Sequence, residues 1–529
     1  MRRRLFISLV LVTACSEGTG PLDHTPQLSL SNSATQVFGP ERFLRTTGKP
    51  DEYARTINTN GFTESFTLHV RSSQVASATV SVNGNALLTS KDFSQQRSSY
   101  DIAFTAAGSI VLNVALASAP GSYLEMSIDG FRKGTRFCPG SNVVGDFSSM
   151  GAAVEATPDG GTILVCDGVH MVHDVLLGSK SVTIQPEGPG RPILDGTGGS
   201  HVFRIWSPAP TVANVVVRGL YLRNGRWAPV QLSDDYGTVL LENNTIVMPR
   251  LVPSPTPQWE TSGINVFRAS GHGVTIKANT IVGGDVGISV GASDLVDIVD
   301  NSLGIQNTAA IVVGDAGGLR NTGKATIKGN NLGSCAVLWC LATWGVDEAT
   351  IEENSITITM ARRTETAIHV QATRSVVRGN RIDGIGNGDR DLEAGYPIVR
   401  AINVMNTDAV VSGNRITNAW SAIWFNNATA EITRNSIATV HNAAGGWGPP
   451  KQNVARMHEN DISDYVYGLA NLYGLYSFAV ADFRCNYWGP FGPTAMGQGF
   501  PIASYAPWAT APTPEAYSAC RSFMTIRSR

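Results

Sequence analysis

Leu241-Glu-Asn-Asn244-Thr-Ile246, Ile276-Lys-Ala-Asn279-Thr-Ile281 and Ile298-Val-Asp-Asn301-Ser-Leu303 are copies of one pattern: an apolar residue, two mostly polar or small ones, Asn, any residue, an apolar residue. Seven more follow, centred on Asn330, Asn354, Asn380, Asn414, Asn435, Asn460 and Asn486. By subtraction the asparagines lie 21 to 35 positions apart, in the period range of solenoids. Each unit carries short alternating runs such as Ile264-Asn-Val266 and Val274-Thr-Ile276, too short to bury an apolar face alone. Units must therefore stack and share a core. Coiling once per repeat sets equivalent strands parallel, about 4.8 Å apart. Asn at one place in every coil has two physical reasons: it tolerates the left-handed backbone of a tight bend, and its amide both donates and accepts in a stacked ladder.

On these residues the chain resembles the right-handed parallel β-helix, the pectin lyase-like superfamily, over 137–490, with about twelve coils expected. The resemblance implies a fold and leaves the chemistry open, because many activities share such scaffolds.

The 529 residues carry a net charge of -2, which offers no electrostatic case for nucleic acid. Met1-Arg-Arg-Arg4, the apolar run Leu5 to Val12 and Val12-Thr-Ala-Cys15 resemble a bacterial lipoprotein signal. That implies a signal peptide over 1–14, lipidation of Cys15, a tether over 15–26, and an exported lipoprotein at the outer membrane or cell surface. An ordinary secretory signal with a chance cysteine is the alternative. The membrane is then met through the lipid anchor only, and the protein is expected to be a monomer.

Residues 27–132 lack the repeat. Phe66–Val70, Ala78–Val82, Tyr100–Phe104 and Ser109–Val114 alternate at period two between turn signals such as Asn83-Gly84, which predicts an immunoglobulin-like β-sandwich acting as spacer, docking module or carbohydrate binder. Phe147, Met150 and Val154 fall on one face of a predicted entrance helix over 147–156. The stretch 491–529 loses the repeat and is expected to cap the far end. Setting Cys15 aside leaves six cysteines, whose positions suggest Cys138 with Cys166, Cys335 with Cys340 and Cys485 with Cys520, although six allow 15 connectivities.

Counting from each Asn, one strand lies ahead of it, one behind, and a third after a loop. By resemblance to pectate lyase-like folds, the third belongs to the sheet bearing a substrate groove. Its outward residues are expected to be Asn265, Ser289, Val312, His369, Asn403 and Trp424, a row without carboxylates. Glycosidases need two carboxylates across the scissile bond, so loops would have to supply them. Insertions at 247–262, 383–400 and 438–455 are expected to stack into a wall beside the groove. Asp234-Asp235 and Ser270-Gly-His-Gly273 resemble polygalacturonase motifs, but they follow their groove strands and lack the downstream Arg-Ile-Lys, which favours ordinary turn chemistry.

These residues suggest an anionic-sugar site. His369, Arg400 and Lys451 are the catalytic candidates; Arg268, Asn265, Asn403, Trp424, Trp259 and Tyr396 bind substrate; Asp389, Asp391 and Glu393 hold calcium. The expected function is a surface-anchored carbohydrate-active protein, acting as a polysaccharide lyase on a uronate-containing polysaccharide. The alternative is a non-catalytic, adhesin-like or structural protein that binds a surface glycan.

Overall fold

The computed structural model describes residues 34–527 apart from 60–61, 95–96, 133, 142–145, 208–211, 234–236, 249–260, 270–272, 315–321, 336–338, 359–365, 385–398, 448–452, 470–477, 491–502 and 505–506. The first unit is two four-stranded antiparallel sheets. One orders Thr35–Leu44, Tyr123–Arg132, Phe62–Ser73 and Ser99–Thr105; the other Asp51–Asn58, Ser109–Leu116, Ala78–Val82 and Asn85–Leu88. Alternate residues, among them Leu68, Val80, Leu112 and Ile128, fill one core. This is a β-sandwich, as the period-two runs require.

From Thr135–Phe137 onward every described strand of the second unit is parallel to its equivalent in the next coil, giving a β-solenoid of about 11 turns. One coil shows the plan: Val274–Lys277 leads into Asn279, Thr280–Val282 trails it, and Val286–Gly291 is the groove strand. Ile276, Ile281, Ile288 and Val290 point into a core that runs through all the coils.

The ladder asparagines are at most 1% exposed. Asn279 Oδ1 accepts from the Asn244 backbone N–H at 2.9 Å and from Asn244 Nδ2 at 3.1 Å, while Asn279 Nδ2 donates to Leu241 O and to Asn301 Oδ1. The same four bonds recur down to Asn460, and Asn486 closes the run by donating to Met457 O and Phe483 O. The ladder Asn does not itself take the left-handed backbone expected of it. The left-handed residue of each bend is the one before the ladder Asn: Asn243, Ala278, Asp300, Gly329, Glu353, Gly379, Gly413, Arg434, Glu459 and Cys485 all have φ between 53° and 66°. The Asn is kept for its amide.

The entrance helix α1 is Met150–Ala156, shorter than predicted, because Ser149 is its N-cap and Phe147 is used in a strand paired with Phe137. Met150, Ala153 and Val154 are its buried residues. The three disulfides join Cys138 to Cys166, Cys335 to Cys340 and Cys485 to Cys520, the last on the terminal helix α2 (Pro514–Arg527). The stretch 438–455 is not one insertion. Ser436–Trp447 runs unbroken from trailing into groove strand, because residues 442–446 pair with Ser421–Phe425; only 448–452 leaves the described backbone.

Candidate functional site

Strand pairing places Gln231, Asn265, Ser289, Val312, Ala342, His369, Asn403, Trp424 and Gly445 in one continuous row across the groove sheet. Their neighbours Ile264, Ile288, Ile311, Leu341, Ile368, Ile402 and Ile423 fill the core, so period-two alternation turns the row outward. Ala342, on Trp339–Glu352, fills the rung between Val312 and His369.

The row's chemistry gathers at His369, Asn403 and Trp424. His369 is only 6% exposed and Asn403 7%. Asn403 Nδ2 donates to His369 Nδ1 at 2.9 Å, so the neutral imidazole carries its proton on Nε2. Among the described residues, that Nε2 and Asn403 Oδ1 are buried without a hydrogen-bond partner. Burial, reinforced by the Arg400 charge, lowers the His369 pKa from its ordinary 6.5 to about 4. Arg400 also lies over the Trp424 ring, Cζ 5.0 Å from the centroid, a cation–π contact.

Tryptophans frame these groups. Trp344 stands 5.7 Å from the His369 ring and meets Trp339 edge-on at 4.9 Å. On the other side Trp420 lies 5.9 Å from Trp424 and stacks on His441 at 5.7 Å with 7° between planes. Trp420 Nε1 is a further buried donor without a partner among the described residues. Trp339, Trp344 and Trp420 were not among the residues expected at the site. The signal was present as tryptophans beside groove strands, in the register that the Asn count defines.

The structure therefore brings together four sequence candidates, His369, Arg400, Asn403 and Trp424. Asn265 lies four rungs away, about 19 Å at ordinary strand spacing, where its Nδ2 donates to Gln231 Oε1 at 3.0 Å. Arg268 belongs to that distant coil, in the left-handed conformation beside the Phe267 ring. Trp259, Tyr396, Lys451, Cys15 and the proposed calcium ligands Asp389, Asp391 and Glu393 lie outside the described residues, as do Asp234-Asp235 and 270–272. Among the described residues no three His, Cys, Asp or Glu side chains converge as a metal site.

The class of protein defined here is a parallel β-solenoid with an aromatic, donor-rich site on its groove sheet. No protein-family model matches the chain, and no curated protein does. Among solved structures it is similar to the catalytic domain of a GH87 alpha-1,3-glucanase in complex with nigerose, at 12% identity and TM-score 0.41, covering 90% of this chain and 98% of that one. It is also similar to the GH87 catalytic unit from Streptomyces thermodiastaticus (11%, TM-score 0.38, covering 84% and 97%) and to a Family 28 exopolygalacturonase of Yersinia enterocolitica (11%, TM-score 0.33, covering 80% and 100%). Likenesses of that size carry no argument about activity, so the functional reading rests on the site.

Proposed function

We propose that this is a carbohydrate-active protein that binds an acidic, uronate-containing polysaccharide at the His369, Arg400, Asn403 and Trp424 site. The observation that carries the reading is the pair of buried polar atoms without partners among the described residues, His369 Nε2 and Asn403 Oδ1, beside indole rings. Leaving such atoms unmatched costs about 1–3 kcal/mol each; a sugar hydroxyl would donate to Asn403 Oδ1, and a hydroxyl or carboxylate oxygen would accept from His369 Nε2–H. Partly exposed aromatic faces suit pyranose rings, the nearby Arg400 favours a negative charge, and the row contains no carboxylate to repel one.

Binding is preferred over cleavage. A lyase needs a base to take the proton next to the uronate carboxylate, and His369 Nε2 already holds a proton in the observed hydrogen-bonding arrangement. A pKa of about 4 also makes the imidazole a weak base. The lyase reading keeps one supporting observation, an imidazole that is uncharged at neutral pH beside an arginine. It requires the Asn403 amide reversed, so that Nε2 presents a lone pair.

Export to an oxidising compartment is part of the proposal, supported by the three disulfides. Lipidation of Cys15 is its anchoring step, checked by labelling cells with a fatty-acid analogue and comparing Cys15→Ser. The site itself is tested by calorimetric titration of the full chain with polygalacturonate, alginate and neutral dextran, alongside absorbance for unsaturated products. Binding of an acidic chain without product supports the proposal. Unsaturated product that disappears in His369→Ala replaces it with the lyase.

A further inference from the structure

Across the solenoid, charged residues on neighbouring rungs meet with opposite sign. Glu242 lies between Arg218 and Lys277, Glu352 between Lys328 and Arg378, and Arg456 between Glu431 and Asp482. Strands one rung apart are separated by about 4.8 Å, so like charges placed directly opposite repel. Among the described strands one pair breaks the rule: Arg381 faces Arg415.

The fold does not require charge at this position. Arg381 and Arg415 each follow a ladder Asn, a place that Thr245, Thr280, Ser302, Asn331, Ser355 and Ser436 fill in other coils. It asks only for an outward polar side chain beside the buried Ile382 and Ile416. Both arginines are exposed, and among the described residues neither guanidinium has an ion pair or a hydrogen bond. Asp383, two positions along from Arg381, is engaged elsewhere: its Oδ1 accepts from Asn418 Nδ2 at 2.7 Å and from Thr417 Oγ1 at 3.4 Å. Ser355 and Ser436 stand on the rungs before and after the pair, so the column offers donors on four successive rungs. Beyond the pair, the first carboxylate of the column is Asp461, two rungs from Arg415.

We propose that Arg381 and Arg415 form an anion site on the sheet of trailing strands, separate from the groove, for an oxyanion of the phosphate or sulfate class. Two planar guanidinium forks one rung apart suit the several oxygens of such a group, each fork taking a bidentate pair. An anion with close to two negative charges offsets the repulsion between the arginines, and the flanking serine hydroxyls can donate to further oxygens. The column carries no aromatic side chain on these four rungs, so it offers charge without the indole faces found at the groove site. The site stands independently of the acidic-glycan reading.

The test is calorimetric titration of the full chain, in chloride buffer, with inorganic phosphate, inorganic sulfate and dextran sulfate, beside neutral dextran. Saturable binding of at least one of the three anions is expected. It should weaken at least about tenfold in Arg381→Ser and in Arg415→Ser, which carry the residue of the neighbouring rungs, and persist in Arg400→Ala. Binding of an inorganic ion assigns the site to a free oxyanion, and binding of dextran sulfate alone assigns it to sulfate esters on a polymer. No saturable binding, equal binding in the serine variants, or loss in Arg400→Ala overturns the proposal. Arg415→Glu restores the alternation of sign, so its urea midpoint at low salt should exceed that of wild type while anion binding disappears. A midpoint no higher than wild type would show that the two arginines do not repel at a cost to the fold, and the premise would fall.

Discussion

His369 shows at the scale of one residue how burial sets chemistry. Its pKa near 4 lies below the ordinary 6.5, so between those values the unfolded chain binds a proton that the folded chain refuses. Stability from this group is therefore complete above about pH 6.5 and is lost as pH falls toward 4, by up to about 1.4 kcal/mol per pH unit. Urea midpoints of wild type and His369→Gln should converge as the pH is lowered through that window. A constant gap from pH 7.5 to 4.5 would mean that the imidazole titrates normally. The tautomer is equally accessible: nitrogen NMR should find the proton on Nε2 at neutral pH. Asn403→Ala should lower acidic-glycan affinity up to about tenfold, the loss of roughly one hydrogen bond from a sugar hydroxyl to its Oδ1. His369, Asn403 and Trp424 were legible as outward residues because period-two counting from each Asn needs no tertiary knowledge. The burial of His369 was not legible, since its ring meets Trp344 of the preceding coil.

At the scale of the element, the Asn ladder decides where each coil turns. Asn330 Oδ1 accepts from the Asn301 backbone N–H and from Asn301 Nδ2, and its own Nδ2 donates to Ile298 O and Asn354 Oδ1. Asn330→Ala removes these four bonds and a fifth to Lys328 O inside a buried bend, and a loss of about 3 kcal/mol is expected, read from urea unfolding. Because neighbouring coils carry the coupling in a solenoid, hydrogen exchange should accelerate most in the strands beside Asn301, Asn330 and Asn354 and least at the far ends. Uniform acceleration would argue for one all-or-none unit. The repeat was legible because an interior amide with four partners leaves few substitutes. The left-handed position before it was not, since Asn, Ala, Asp, Gly, Glu, Arg and Cys all occupy it, and a backbone conformation satisfied by so many residue types leaves no pattern.

For the whole molecule, the sandwich and the solenoid were both readable, because each is built from short-range periodicity that stacking merely repeats. The walls of the groove were not, since three of the lining tryptophans owe their role to contacts between coils. The disulfides divide the same way. Removing Cys138–Cys166 should cost about 4 kcal/mol on the chain-entropy scale and lower the melting temperature, whereas removing Cys335–Cys340 should cost about 2 kcal/mol and weaken glycan binding as well. Equal effects of the two on binding would deny the short bridge its place beside the site. The most direct measurement of the central claim is calorimetric titration of polygalacturonate and alginate into the full chain and into Arg400→Ala, at low and high salt. The account predicts saturable, salt-sensitive binding of an acidic chain, weakened at least tenfold in the variant, with dextran inert and no unsaturated product. Equal affinity in wild type and Arg400→Ala, or no binding of either acidic glycan, would contradict it.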